Sequence, residues 1–144
     1  MAEFTEIVHE KCVAFADRIV KLNDYLLVQT AKNEEVRARG TKNSERRGKI
    51  PVYLLSVATL CNQLLRAGTS IGANNAEAMN AISKSDYRSK SFIALKEARE
   101  SLYWINLLHR NGYLEDVQFQ SIYADCEELV RILMTRCKKL NEEG

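Results

Sequence analysis

The residue types that carry most enzyme chemistry are sparse and scattered in this 144-residue chain. Glu6 and His9 form a single ExxH pattern, but a di-metal site in a helical bundle needs this pattern on two helices, and His109 has neither an ExxH nor an HExxH pattern. Ser70 has Arg66 nearby in the sequence, but no base accompanies it that could make it a nucleophile. No glycine-rich phosphate loop ends in a GK[ST] motif. We therefore predict a protein that is not an enzyme, with no catalytic residue, metal or cofactor, unless a pocket forms between subunits.

The four cysteines also lack the spacing of a reactive or metal-binding site. Cys12, Cys61, Cys126 and Cys137 form no CxxC pair, and the acidic N-terminal residues do not resemble a signal peptide. We therefore predict reduced, buried thiols in a cytoplasmic protein. No apolar run approaches the roughly 18 residues that cross a membrane, so no membrane partner is expected.

Basic charge is the one chemical feature that is concentrated. The net charge is only +2, but residues 31–50 and 83–110 hold most of the excess of lysine and arginine. Basic residues without aromatic neighbours attract phosphate groups but do not stack on bases. The alternative for the first segment is a solvated, flexible connection. The candidate nucleic-acid-binding residues are Lys32, Arg37, Arg39, Lys42, Arg46, Arg47, Lys49, Arg88 and Lys90.

The chain is organised around residues 51–82, which read as one long helix. This segment contains eighteen apolar residues but only two charged ones, Arg66 and Glu77. Pro51 suits the first position of a helix, where its missing N–H would have no partner. A surface helix normally keeps a polar face, so we expect this helix to be covered on most sides, partly by a second subunit.

Small residues indicate that another backbone approaches this helix. Gly68, Gly72 and Ala76 are spaced four residues apart and share one face. Glycine in a helix costs roughly 0.5–1 kcal/mol relative to alanine. The two glycines therefore predict close packing.

A polar stripe formed by Arg66, Ser70, Asn74 and Glu77 follows a second face of the same helix. Arg66 and Glu77 are too far apart, at about 16 Å along the axis, to pair with each other. If they are buried, each needs a partner on another helix or subunit. The stripe is thus either a subunit interface or a solvated edge, and we favour the interface.

Three further helices are predicted from apolar residues that recur every three or four positions, over residues 4–31, 85–110 and 115–140. Residues 32–50 read as a long basic loop. Ser83 or Ser85 can cap the third helix, Asn111-Gly112 can end it, and Glu115-Asp116 can begin the fourth. We predict an all-α, up-down-up-down antiparallel four-helix bundle, with residues 1–144 as a single domain. In the first helix, the apolar residues that should form one side and face the core, which we call its seam, are Phe4, Val8, Cys12, Phe15, Ile19, Leu22 and Leu26.

The stretch from Gln63 to Asn74 (QLLRAGTSIGAN), followed by Ala76-Glu77-Ala78, resembles the bacterial four helix bundle protein family. That family includes proteins encoded in intervening sequences of large-subunit ribosomal RNA genes, and it is similar to the accessory variability proteins of diversity-generating retroelements. The resemblance covers about residues 50–114. Asn75 departs from it, because the family commonly has an aliphatic residue there.

The resemblance implies a homo-oligomer, a pentameric ring of four-helix protomers without catalysis. It also implies RNA or DNA binding through a basic surface and a reverse transcriptase or other protein as partner. By position, Arg66, Gly68, Ser70, Gly72, Asn74 and Glu77 are then interface or structural residues. We expect an accessory protein that binds nucleic acid through the basic loop and the third helix. The alternative is a protein–protein scaffold ring without a direct nucleic-acid role.

Overall fold

The computed structural model describes residues 2–39 and 52–143. These residues form α1 (Ala2–Arg39), α2 (Val52–Met79), α3 (Lys84–Arg110) and α4 (Asp116–Glu142), and no strand occurs among them. The prediction of an all-α chain with four helices is confirmed.

Neighbouring helices run antiparallel, as the residue pairs between them show. Gly68 of α2 lies beside Ile19 of α1, whereas Gly72, further along α2, lies beside the earlier residue Cys12. The same reversal holds for the side-chain pairs that join α2 to α3, α3 to α4 and α4 to α1. Helix α2 packs against both α1 and α3, while α1 and α4 have the least contact of the neighbouring helices.

The core consists of the predicted helical seams with few exceptions. Val8, Cys12, Phe15 and Ile19 are at most 2 % exposed, and α4 contributes an uninterrupted row from Ile122 to Cys137. The prediction was wrong for Phe4, whose side chain is 59 % exposed. Phe4 lies in the first turns of α1, where α1 and α4 leave a groove between them.

Helix α1 is longer than predicted, because it continues to Arg39 instead of ending near residue 31. Residues 32–39 had been assigned to the loop because they are charged and carry no apolar seam. They contain no glycine or proline, however, and glutamate, arginine and alanine are good helix formers, so the helix can continue to the residue before Gly40. Pro51 and the remainder of the predicted loop, residues 40–50, lie outside the described residues.

Helix α2 ends at Met79, three residues before the predicted end. The amides of Asn80 and Ala81 bond to carbonyls only three residues back, which tightens the last turn. Ile82 is 95 % exposed, and its amide donates to the Asp86 carboxylate at 3.2 Å. The apolar character of Ala81 and Ile82 made the helix appear longer than it is.

The predicted caps are confirmed at the other helix ends. The Ser83 hydroxyl accepts a bond from the Asp86 amide at 3.1 Å, and α3 begins at the next residue, Lys84. After Asn111, Gly112 has a φ of +78°, the left-handed conformation that favours glycine. Helix α4 begins at Asp116, where the Glu115 amide donates to the Gln118 side chain.

Candidate nucleic-acid interface

The polar stripe of α2 is partnered within the chain. The Arg66 guanidinium pairs with Glu100 and, at 3.6 Å, with Glu97, while Glu77 pairs with Lys90. All three partners lie on α3. The side chains of Arg66 and Glu77 are 51 % and 56 % exposed in the single chain, and each has an ion-pair partner there. The stripe bridges α2 and α3, and its role as a subunit interface stays a prediction.

The two glycines of α2 pack closely against α1 of the same chain, as predicted for close packing. A Cβ atom on Gly68 would lie 3.1 Å from Cγ1 of the Ile19 side chain, whereas one on Gly72 would lie 3.8 Å from the carbonyl carbon and oxygen of Cys12. The α1 backbone therefore approaches α2 at Gly72. The amide of Asn74 donates to the Ser70 carbonyl at 2.8 Å, within the helix. These family-motif residues therefore serve the α1–α2 and α2–α3 contacts of the fold.

Most of the predicted basic loop lies outside the described residues. Lys32 is exposed on α1, and Arg37 and Arg39 belong to the last turns of that helix. The candidates that lie outside the described residues are Lys42, Arg46, Arg47 and Lys49.

The two candidates on α3, Arg88 and Lys90, point to different sides of the helix. Lys90 faces α2, and its hydrogen bond with Glu77, followed by the charge of that carboxylate, raises the pKa of the ammonium group. Arg88 faces α4, donates to the Leu140 carbonyl at 3.0 Å, and lies 5.8 Å from the ring centre of Phe92. They do not form one site.

A different set of α3 residues forms a continuous basic surface, which we call the α3 basic stripe. Its members recur at steps of three, four or seven residues and so share one side of α3, from which Arg88 and Arg99 also contact α4. All are exposed except Phe92, which is half-buried, and Tyr103 is 59 % exposed. The stripe spans about 33 Å, from the rise of 1.5 Å per residue. Its members are Arg88, Phe92, Lys96, Arg99, Tyr103 and Arg110.

No acidic residue of α3 lies on this stripe. Glu97 and Glu100 point to α2, where Arg66 binds them, and Asp86 accepts from the Ile82 amide at the start of the helix. Sequence reasoning named Arg88 but did not select Lys96 and Arg99. Applying to the basic residues the same helical spacing that identified the apolar seams would have found them.

Charge of the opposite sign follows α1. Glu6, Glu10, Asp17 and Asp24 are all exposed and recur at steps of four or seven residues. The bundle is therefore electrically asymmetric, which the net charge of +2 does not reveal.

Exposed apolar side chains are most numerous on α1. Val13, Val20 and Val28 are 44 %, 43 % and 49 % exposed, and each follows an acidic residue of that row by three or four positions, so valines and acids share one side of α1. At the start of α2, Leu55 is 51 % exposed, and this helix has no charged residue from Val52 to Leu65. We call these four side chains the α1–α2 apolar surface.

Three buried thiols resist ionisation, and His109 is paired with a carboxylate. Burial raises the pKa of Cys12 and Cys61 to about 11 and that of Cys126 to about 12. His109 lies 2.8 Å from Asp116 through Nε2 and stacks on Phe119 at 4.0 Å between ring centres. Within residues 2–39 and 52–143, no three histidine, cysteine or carboxylate side chains are grouped to hold a metal ion.

None of the four described helices is long and apolar enough to cross a membrane.

Comparison with known proteins supports the resemblance noted in the sequence. Residues 55–135 match the family model described as 23S rRNA-intervening sequence protein. A similar solved structure is that of a protein of unknown function from the S23 ribosomal protein family of Bacteroides thetaiotaomicron. It is 34 % identical, with a TM-score of 0.69, and the match covers 93 % of this chain and 97 % of that one. No curated protein matches the chain.

Proposed function

Because this chain belongs to the family of 23S rRNA-intervening sequence proteins, we propose that it is a non-catalytic, oligomeric protein that binds RNA through the α3 basic stripe. The observation that carries the proposal is the row formed by Arg88, Lys96, Arg99 and Arg110 on one side of α3, without an acidic residue of that helix among them. Unopposed cations on one face attract a polyanion and supply affinity that does not depend on base sequence.

The composition of the stripe favours contacts with phosphates over contacts with bases. Tyr103 is the one strongly exposed aromatic side chain on it, and the ring of Phe92 already faces the guanidinium of Arg88. Base stacking would need several open aromatic rings. We therefore expect binding that responds strongly to salt and weakly to base sequence.

The test is the binding of a fluorescently labelled RNA, measured by anisotropy across a salt series and compared with DNA of the same sequence. Lys96→Glu should weaken binding about tenfold or more at low salt, because a phosphate contact becomes a repulsion. Lys21→Glu is the matched control, since it makes the same charge change at an exposed position on the acidic helix α1. Equal losses in the two variants would contradict a localised site.

The predicted basic loop is tested in the same assay with the triple variant Arg46→Glu/Arg47→Glu/Lys49→Glu. If this variant loses binding while Lys96→Glu keeps it, RNA is bound by the loop and the α3 basic stripe is not the site. Losses in both variants would extend the interface from α3 to the loop.

The second candidate function is a ring that docks a protein partner, such as a reverse transcriptase. The α1–α2 apolar surface favours it, because Val13, Val20 and Leu55 expose apolar area that a second subunit could cover. The pentameric state itself is an implication of the family resemblance.

We expect Val20→Glu to reduce the assembled mass measured by light scattering, because it places a charge in an apolar contact. Val117→Glu, the same change at a 78 % exposed position at the start of α4, should leave the mass unchanged. A wild-type protein that is monomeric at micromolar concentration would overturn the ring. Arg66→Ala should have little effect on assembly, because its exposed ion pairs lie within the chain and are worth about 1 kcal/mol or less.

A further inference from the structure

A groove opens between the start of α1 and the end of α4. Further along, α1 and α4 are joined by Lys11–Glu128 at 2.9 Å and by Arg18, which binds Asp125 and the Ser121 hydroxyl. No ion pair of this kind joins the described residues at the groove. The cavity there has a volume of about 930 Å³, within the size range of small-molecule sites. We call it the α1–α4 groove.

The groove combines an apolar wall with an excess of positive charge. Phe4 of α1 and Ile132 and Leu140 of α4 form the apolar part. Three cations also line it, namely Arg131, Arg136 and Lys139, together with one carboxylate, Glu143. In the middle of the same helix pair each cation faces an acid, whereas here the cations outnumber the acids.

Arg136 is held in place by a polar side chain in the core. Asn75 is 0 % exposed, and its Oδ1 accepts a bond from Nη1 of Arg136 at 2.8 Å. Cζ of Arg136 also lies 6.0 Å from the ring centre of Tyr87, which lines the groove too. Burying an amide is unfavourable unless it is bonded. The bond therefore links a buried position, Asn75, to the orientation of a cation in the groove.

The spacing of the cations indicates what kind of anion fits. Arg136 and Lys139 are three residues apart on α4 and share one face, so both can reach one anionic group. Arg131 lies about 12 Å from Lys139 along the helix axis and is placed for a second polar part of the ligand. The wall beside them, with Phe4 at its edge, suits a flat apolar body.

We propose that the α1–α4 groove binds a nucleoside phosphate, with the phosphate on Arg136 and Lys139 and the base on the wall of Phe4 and Leu140. The same chemistry is offered by a free nucleotide and by the phosphorylated end of an RNA strand. The site is distinct from the α3 basic stripe and does not rest on it.

The test is a calorimetric titration of the full-length protein with AMP, and with adenosine as the ligand that lacks the phosphate. AMP should bind with a dissociation constant of about 1 mM or below, and adenosine about tenfold more weakly. Absence of AMP binding, or equal binding of adenosine, would overturn the proposal. A 5′-phosphorylated triadenylate that binds more tightly than both AMP and its 5′-hydroxyl form identifies the end of an RNA strand as the source. Equal or tighter binding of AMP identifies the free nucleotide.

Adjacent lysines supply a matched pair of variants. Lys139→Gln should weaken AMP binding about tenfold, because it removes one charged contact to the phosphate. Lys138→Gln removes the same charge at an exposed neighbour that does not line the groove, and it should leave binding unchanged. If both variants lose the same affinity for AMP, the loss reflects net charge alone, and the groove is not the binding site.

Two further variants separate the groove from its surroundings. Asn75→Val should weaken AMP binding while circular dichroism shows the helical fold intact, because Arg136 loses the bond that orients it. If that variant does not fold, the comparison of Lys139→Gln with Lys138→Gln still tests the proposal. Lys96→Glu should leave AMP binding unchanged, so that failure of the α3 basic stripe and failure of this site can be told apart.

Discussion

Replacement of Gly68 by leucine is expected to lower the free energy of unfolding by about 3 kcal/mol, the upper part of the range of about 1–3 kcal/mol that overpacking a core contact typically costs. A Cβ at this position already lies 3.1 Å from Cγ1 of Ile19 and 3.4 Å from Cε1 of Phe15. Both neighbours are at most 2 % exposed, and Ile19 is β-branched, so neither can turn away freely. A leucine would push α1 off α2.

The control for this prediction is Gly72→Ala, on the same face of α2. Its Cβ would lie 3.4 Å from Cβ of Cys12, an ordinary van der Waals contact, and alanine favours the helix by roughly 0.5–1 kcal/mol. We expect this variant to be as stable as wild type or more so. Urea denaturation at one fixed protein concentration measures both, because assembly would make stability depend on concentration. If the Gly68→Leu protein has the same free energy of unfolding as Gly72→Ala, α1 and α2 can separate at little cost and the prediction is wrong.

Stability should fall steeply between pH 9 and pH 11, because three core thiols resist ionisation in the folded state. Burial raises the pKa of Cys12 and Cys61 from the ordinary 9.0 to about 11, and that of Cys126 to about 12. Below pH 9 these thiols are protonated in both states and contribute no pH dependence. Above it the unfolded chain loses protons that the folded chain keeps, so unfolding is favoured by about 1.4 kcal/mol per pH unit for each thiol.

Three such thiols give a slope of about 4 kcal/mol per pH unit, large against a typical stability of about 5–15 kcal/mol. Urea midpoints measured at successive pH values test this expectation. Cys12→Ala should reduce the slope by the share of one thiol, which separates the cysteines from the lysines and tyrosines that titrate in the same range. A stability that stays level from pH 9 to pH 11 would show that the thiols are not shielded from solvent. The same shielding predicts slow reaction of the native protein with a thiol reagent at pH 8.

Local patterns in the sequence were sufficient for the helices and for most of their ends. The steps of three and four residues from Ile122 to Cys137 produce a buried row, because a helix places such residues on one side whatever packs against it. Ser83 caps the start of α3 with its own side chain, and Gly112 follows the end of α3 in its own left-handed backbone conformation. Neither signal needs a distant partner. The errors arose at residues 32–39, where the helix continues without a row of apolar residues, and at Ile82, where apolar residues continue beyond the helix.

The sequence by itself therefore determined the helical class, the core seams, the close approach at Gly68 and the family. Only the tertiary structure decided that Arg66 and Glu77 meet partners on α3, that Lys90 leaves the basic side of its helix, and that Asn75 holds Arg136. The physical reason is that helical periodicity is written into one segment, whereas the pairing of side chains depends on how each helix is rotated against its neighbours. That rotation follows from the packing of the whole core, to which all four helices contribute.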